Sequence, residues 1–135
     1  MKSLDGWVGV SIGTYGRAIV IWCNHKSLFP QGAHCAHCTI AWRTDGFSQT
    51  DVDEVVRLRN TWMVDHARPV IGGWATCKSA GVHTSRSTRL VFWLDKDCEL
   101  YDFVTYVRAK VKPNWYSDMK GWWAPHITVN QPVAT

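Results

Sequence analysis

The sequence AHCTI at residues 36–40 has a counterpart near the other end of the chain, PHITV at residues 125–129. Both stretches contain a histidine, one intervening residue, a threonine and an aliphatic residue in the same order. Alternate side chains of a β-strand point to opposite faces, so each stretch predicts an imidazole and a hydroxyl side by side on one face. The other face would be buried, and it would receive the side chains of Cys38, Ile40, Ile127 and Val129.

The polar residues of the two stretches have the chemistry that a phosphodiester requires. They are His37, Thr39, His126 and Thr128. If the two pairs face each other, one imidazole can deprotonate an attacking oxygen while the other protonates the leaving oxygen. The hydroxyls can hold the non-bridging oxygens as negative charge builds on them. A single copy of so short a pattern would be weakly specific, because its His and Thr could simply lie on the solvent face of a strand.

Length and composition predict one globular domain over residues 1–135. The 46% hydrophobic content is ordinary for a globular protein, and the chain is long enough to bury a core. The sequence contains no apolar run of about 18 residues, and its first residues lack the charged-then-apolar order of a secretory signal. These features predict a soluble protein of the cytoplasm that does not enter a membrane.

Cysteine content and net charge narrow the expected compartment and partner. Five cysteines are an odd number and do not indicate a disulfide framework in a chain of this size, so a reducing cytosol is expected. The net charge of +4 favours a polyanionic partner such as a nucleotide or RNA. Nine tryptophans can supply core volume or platforms on which bases stack.

The hydrophobic pattern predicts an α+β fold. Residues 18–23 form an apolar run that fits a central strand, and Gly13-Thr14-Tyr15-Gly16 before it is typical of a turn. A helix over 51–66 is the clearest element, with Thr50 or Asp51 as its N-cap. The expected order is strand, strand, helix, two strands paired as a hairpin, helix and strand, with the remaining elements at 37–43, 70–80, 87–95, 97–111 and 124–130.

The two motifs and this order of elements resemble the two-histidine (2H) phosphoesterase superfamily. The similarity rests on AHCTI and on WAPHITV at residues 123–129, and it extends over about residues 18–130. The superfamily includes RNA 2′,3′-cyclic phosphodiesterases and bacterial proteins named for 2′-5′ RNA ligase activity. It also includes phage anti-CBASS proteins, which degrade the cyclic oligonucleotide signals of host defence.

The resemblance implies a bilobal fold of largely antiparallel sheets, with two outer helices and a central cleft. It implies that His37 and His126 are an acid–base pair, that Thr39 and Thr128 bind the phosphate, and that no metal or other cofactor takes part. The substrate would be a nucleotide or RNA with a 2′,3′-cyclic phosphate, or a 3′,5′-cyclic oligonucleotide. A phage origin would place the protein in the host cytoplasm. Base preference and oligomeric state do not follow from the sequence.

Four residues near the motifs are candidates for binding the substrate. Trp122 and Trp123 adjoin the second motif, where they would stack on a base or cover the cleft. Tyr15 precedes the first predicted strand, and Arg43 follows the first motif, where its charge would attract phosphate. The tryptophans within predicted strands or the helix are expected in the core; they are Trp22, Trp42, Trp62, Trp74 and Trp93.

Two other functions use the same residues. The segment His34-Cys35-Ala36-His37-Cys38, with Cys23 and His25 upstream, could hold zinc, since imidazole and thiolate are its preferred ligands. A strand would however send His37 and Cys38 to opposite faces, and no second Cys-x-x-Cys pair follows. The remaining alternative is a non-catalytic nucleotide- or RNA-binding module of the same fold, although binding alone would not require two titratable histidines.

Overall fold

A computed structural model describes residues 4–25, 36–64, 74–83, 89–94, 99–111, 115 and 125–129. Together these residues contain six strands and two helices in an α+β fold. The strands are β1 (Leu4–Tyr15), β2 (Ala18–His25), β3 (Ala36–Trp42), β4 (Trp74–His83), β5 (Arg89–Leu94) and β6 (His126–Val129). The helices are α1 (Gln49–Val64) and α2 (Glu99–Lys110).

The strands form one closed ring in the order β1-β2-β3-β6-β5-β4. Each neighbouring pair is antiparallel, which confirms the predicted hairpin of β4 and β5. β3 and β6 are neighbours in the ring although they are distant in the chain, so the two motif strands lie side by side. The ring therefore places the two His-x-Thr stretches in direct contact.

The core lies on one face of the sheet, and both helices pack on that face. Its strand residues alternate along β2 and β3, as in Ile19, Ile21, Cys38 and Ile40, all of which are fully buried. The same cluster contains the apolar stripes of both helices, among them Val55, Leu58 and Trp62 of α1 and Leu100, Phe103 and Val107 of α2. The predicted burial of Cys38, Ile40, Ile127 and Val129 is confirmed.

The sequence pattern does not predict β1, which extends through the expected turn at Gly13 to Tyr15. The turn itself is Gly16-Arg17, where Gly16 adopts a positive φ of 57°. β1 pairs with β2 from Trp7↔His25 to Tyr15↔Ala18 and with β4 from Leu4↔Cys77 to Val8↔Trp74. β1 contains three glycines, which weaken a strand, and its two paired neighbours supply its backbone hydrogen-bond partners.

Helix α1 begins two residues earlier than predicted, and its cap is Ser48 instead of Thr50 or Asp51. The Ser48 backbone N–H donates to Asp51 Oδ2 at 2.9 Å, and the Asp51 N–H donates to Ser48 Oγ at 3.3 Å. This reciprocal pair is a capping box with the acidic residue at the third helical position. The predicted helix end at 66 and its closing Pro69 lie outside the described residues, which reach Val64.

The aromatic side chains depart from the predicted core in three places. Trp62 is buried as expected, whereas Trp42 is 38% exposed. Trp22 and Trp93 are only partly buried and lie on the face opposite the core. Trp115, which follows the predicted second helix, is buried against Phe47 with ring centroids 5.2 Å apart. The side chain of Trp74 lies outside the described part of the chain.

Candidate active site

The register between β3 and β6 brings the two motifs together. His37 lies opposite Thr128, and Cys38 lies opposite Ile127. Directly opposite residues of an antiparallel pair point to the same face, so the imidazole of one motif neighbours the hydroxyl of the other. Continued by one residue, the same register sets Thr39 opposite His126. The four predicted catalytic residues therefore share one face of two adjacent strands, called the motif face below.

This register has a local two-fold axis between Cys38 and Ile127. An antiparallel pair always has such an axis, but its position depends on the register. Here it passes through the central residue of each motif, so rotation exchanges His37 with His126 and Thr39 with Thr128. The two histidines are diagonal neighbours, which in an antiparallel pair typically lie about 7–8 Å apart and within reach of long side chains.

The motif residues differ in exposure. His37 is 5% exposed and Thr128 is 6% exposed, although both lie on the face opposite the core. Thr39 and His126 are half-buried. The row of His37 and Thr128 is thus more enclosed than the row of Thr39 and His126.

Two aromatic rings cover His37. Tyr15 stacks on the imidazole, with centroids 4.8 Å apart and an interplanar angle of 22°. Trp22 lies opposite His37 across the β2–β3 pair and presents itself edge-on, at 6.0 Å and 71°. The Tyr15 and Trp22 rings also contact each other at 5.8 Å. The predicted involvement of Tyr15 thus has a geometric basis, since its ring lies against the first motif histidine and is itself 38% exposed.

His126 has a tryptophan in the equivalent position. Trp93 lies opposite His126 across the β5–β6 pair, with ring centroids 4.9 Å apart and tilted by 54°. Both motif histidines therefore have a cross-strand tryptophan on their outer side and a threonine on their inner side.

The equivalence extends outward to β1 and β4. Ser11 pairs with Trp22 as Ser79 pairs with Trp93, and each pairing adjoins an irregularity in the outer strand. One step further along, Gly13 pairs with Val20 as Gly81 pairs with Val91. Cross-strand partners thus form the same two rows on each side of the motif strands. One row contains Ser, Trp and His, the other contains Gly, Val and Thr, and the axis at Cys38 and Ile127 relates the two copies of each row.

Arg43 has partners at the start of α1. Its Nε donates to the Gly46 carbonyl oxygen at 2.7 Å, and its Nη2 forms an ion pair with Asp51 at 3.2 Å. Its guanidinium also lies 4.3 Å from the centroid of the Phe47 ring. These contacts hold the chain between β3 and α1, so the described role of Arg43 is structural.

Trp22 and Trp93 are candidate site residues that the sequence pattern assigned to the core. The available signal was their position within the repeat: each occurs in an apolar strand of the form aliphatic, Val, apolar, Trp, at IVIW and LVFW. Trp122 and Trp123, the predicted substrate platforms, lie outside the described residues.

The proposed zinc ligands do not converge in the described structure. Cys23, His25 and Cys38 lie on the core face, whereas His37 lies on the motif face. Across the described ranges, no group of three or more His, Cys, Asp or Glu side chains could hold a metal ion. His34 and Cys35 lie outside these ranges.

Within the described segments, neither helix has the length and apolar character needed to cross a membrane. No known protein family, no curated protein and no solved structure matches the chain.

Proposed function

We propose that this chain is a metal-independent phosphodiesterase of the 2H phosphoesterase type, which cleaves RNA-like or cyclic nucleotide phosphodiesters. The observation that supports it best is the register of β3 and β6, which sets His37 beside Thr128 and centres a two-fold axis on the two motifs. A register shifted by one residue would send the polar residues of the two motifs to opposite faces of the sheet. This register brings two imidazoles and two hydroxyls to one face of adjacent strands, which supports an acid–base pair with two phosphate-binding donors.

The proposed reaction needs only the groups of the motif face. A phosphate between the two imidazoles has one histidine beside the attacking oxygen and the other beside the leaving oxygen. The first takes the proton of the nucleophile as the new P–O bond forms, and the second gives a proton to the oxygen whose P–O bond breaks. The hydroxyls of Thr39 and Thr128 donate to the non-bridging oxygens, whose charge increases in the transition state.

Two substrate classes fit this chemistry. With a 2′,3′-cyclic phosphate, water attacks phosphorus, a ribose oxygen leaves, and the product is a phosphomonoester. With a 3′,5′-linked cyclic oligonucleotide, the neighbouring 2′-hydroxyl attacks, the 5′-oxygen leaves, and the product carries a 2′,3′-cyclic phosphate. Which histidine acts as base depends on the bond that is cleaved.

The proposal includes a two-lobed architecture and a cytoplasmic site of action. One lobe would consist of β1, β2 and β3, and the other of β4, β5 and β6, with the motif strands as their seam. The repeated Ser-Trp-His and Gly-Val-Thr rows support this division. The odd cysteine number supports a reducing compartment.

The test is an assay of 2′,3′-cyclic nucleotides and cyclic dinucleotides with EDTA present. We expect turnover by the wild-type chain and none by His37→Asn or His126→Asn, with Thr14→Ala, an exposed threonine of β1, as the control. Rates should follow a bell-shaped pH profile in the ordinary histidine range, since one imidazole must be neutral and the other charged. Turnover abolished by chelation would contradict metal independence, and nucleotide binding without turnover would indicate a binding module.

A further inference from the structure

Each motif histidine is matched by a tryptophan that the proposed reaction does not use. Trp22 meets His37 edge-on and Trp93 meets His126 at a tilt, with centroid separations of 6.0 Å and 4.9 Å. Both tryptophans are partly buried, and both alternate with core residues along their strands. The two indoles therefore neither fill the core nor lie fully exposed to solvent. Among their described ring contacts are the imidazoles of the motif histidines.

Because Gly13 has no side chain, the Trp22 indole can lie against the backbone of β1 at this position. A Cβ atom built on Gly13 would lie 3.4 Å from Trp22 Cδ1 and only 2.9 Å from Trp22 Nε1, and the latter distance is shorter than Cβ atoms show in proteins. The pyrrole edge of the indole thus rests on the backbone of β1, while the ring also contacts His37 and Tyr15. By register, Gly81 holds the equivalent place beside the strand of Trp93.

We propose that Trp22 and Trp93 are a matched pair of positioning residues, which fix the ring planes of His37 and His126. The expected effect on turnover rests on the proposed function, whereas the effect on the ring planes does not. The ring torsion of histidine is broad, so its plane must be fixed by neighbours. Aromatic pairs favour edge-to-face and offset-stacked contacts over a face-to-face sandwich, so a neighbouring indole restricts the plane of the imidazole. Proton transfer to and from a phosphodiester requires that plane to be aligned with the reacting oxygens.

Kinetics separate positioning from substrate contact. Trp22→Leu and Trp93→Leu should each lower kcat by about ten- to a hundredfold with KM little changed, as expected when a catalytic group is displaced. Trp22→Phe and Trp93→Phe should restore much of the rate, because an aromatic edge remains. Trp42→Leu, at an exposed tryptophan of β3, is the control and should leave both constants unchanged. A rise in KM at unchanged kcat would assign the tryptophans to substrate binding and overturn the proposal.

NMR of the imidazole resonances tests the same inference without turnover. Loss of an adjacent indole should shift the ring resonances of His37 in Trp22→Leu and of His126 in Trp93→Leu, each leaving the other histidine nearly unaffected. Gly13→Ala should act on His37 alone, because the new methyl displaces the Trp22 edge. Unchanged imidazole resonances in both Leu variants would contradict the proposal. If the wild-type chain cleaved none of the diesters tested, the proposed function would be wrong. The changes in the imidazole resonances would still show whether the tryptophans position the histidines.

Discussion

At the scale of single residues, the hydroxyl of Thr128 lies on the motif face. It is 6% exposed and lies opposite His37, although its strand neighbours Ile127 and Val129 belong to the core on the other side. A threonine that served only β-propensity at this position could be replaced by valine, which has the same shape. Replacing Thr128 with valine therefore tests whether its hydroxyl has a catalytic role, because the shape of the side chain is kept.

We expect Thr128→Val to lower kcat by about one to two orders of magnitude, because one donor to the non-bridging oxygens is lost. Thr128→Ser, which keeps the hydroxyl, should retain most of the activity. Steady-state kinetics on the best substrate and circular dichroism of each variant provide the measurement. Equal rates for the Val variant and the wild-type chain would exclude this hydroxyl from the mechanism.

At the scale of elements, the start of α1 is fixed by a capping box and by an ion pair to the preceding strand. Asp51 accepts from the Ser48 backbone and from the Arg43 guanidinium through the same carboxylate oxygen. The cap thus connects the end of β3, and hence the first motif, to the helix on the core face. Arg43 contributes to the site through this connection.

Ser48→Ala should lower the free energy of unfolding by about 1 kcal/mol, the usual effect of removing an N-cap hydroxyl. Thr50→Ala is the matched control, because Thr50 is exposed within the first turn and should change stability little. Urea denaturation of both variants measures the difference. If Thr50→Ala lowered the free energy of unfolding more than Ser48→Ala, Thr50 would be the N-cap, as the sequence pattern predicts.

The sequence predicted the existence of α1 correctly but not its first residue, and the reason is physical. Ser48-x-x-Asp51 and Thr50-x-x-Asp53 are overlapping patterns that both satisfy the chemistry of a cap. Only a contact from outside the helix, the guanidinium of Arg43 on Asp51, distinguishes them. β1 was not predicted because its three glycines weaken the local strand pattern, and because its pairing with β4 joins segments that are distant in the chain.

At the scale of the whole molecule, the closed ring makes the two halves of the sheet depend on each other. Phe92 of β5 contacts Trp7 of β1 with ring centroids 5.1 Å apart, although β4 lies between these strands in the ring. Trp62 of α1 contacts Phe103 of α2 at 5.6 Å. Core contacts thus join elements from both ends of the chain.

Phe92→Ala should lower the free energy of unfolding by about 3–5 kcal/mol, because it removes a fully buried ring and leaves a cavity. Loss of structure should be a single transition, with tryptophan fluorescence and far-ultraviolet circular dichroism giving the same midpoint. Val64→Ala, at a side chain that is 82% exposed, is the control. Two separate transitions in the wild-type chain would show that the halves unfold independently.

The four motif residues could be predicted from sequence because they recur within two short, similar stretches. The surrounding repeat could not, because its members lie in separate strands joined by connections of unequal length. Ser11, Gly13 and Trp22 have counterparts in Ser79, Gly81 and Trp93 only when the strands are set in register. Register depends on which residues are buried together in the finished sheet, and no local pattern specifies it.

The two-fold axis at Cys38 and Ile127 relates the strands but not the whole chain. An antiparallel ladder centred on equivalent residues has the geometry of a contact between two identical chains. Rotation about the axis exchanges β1, β2 and β3 with β4, β5 and β6, whereas α1 follows β3 and α2 precedes β6. Tyr15 stacks on His37, while its counterpart by register in β4 is His83. The strand framework is thus that of a pseudo-dimer, within which the two motif histidines have different neighbours.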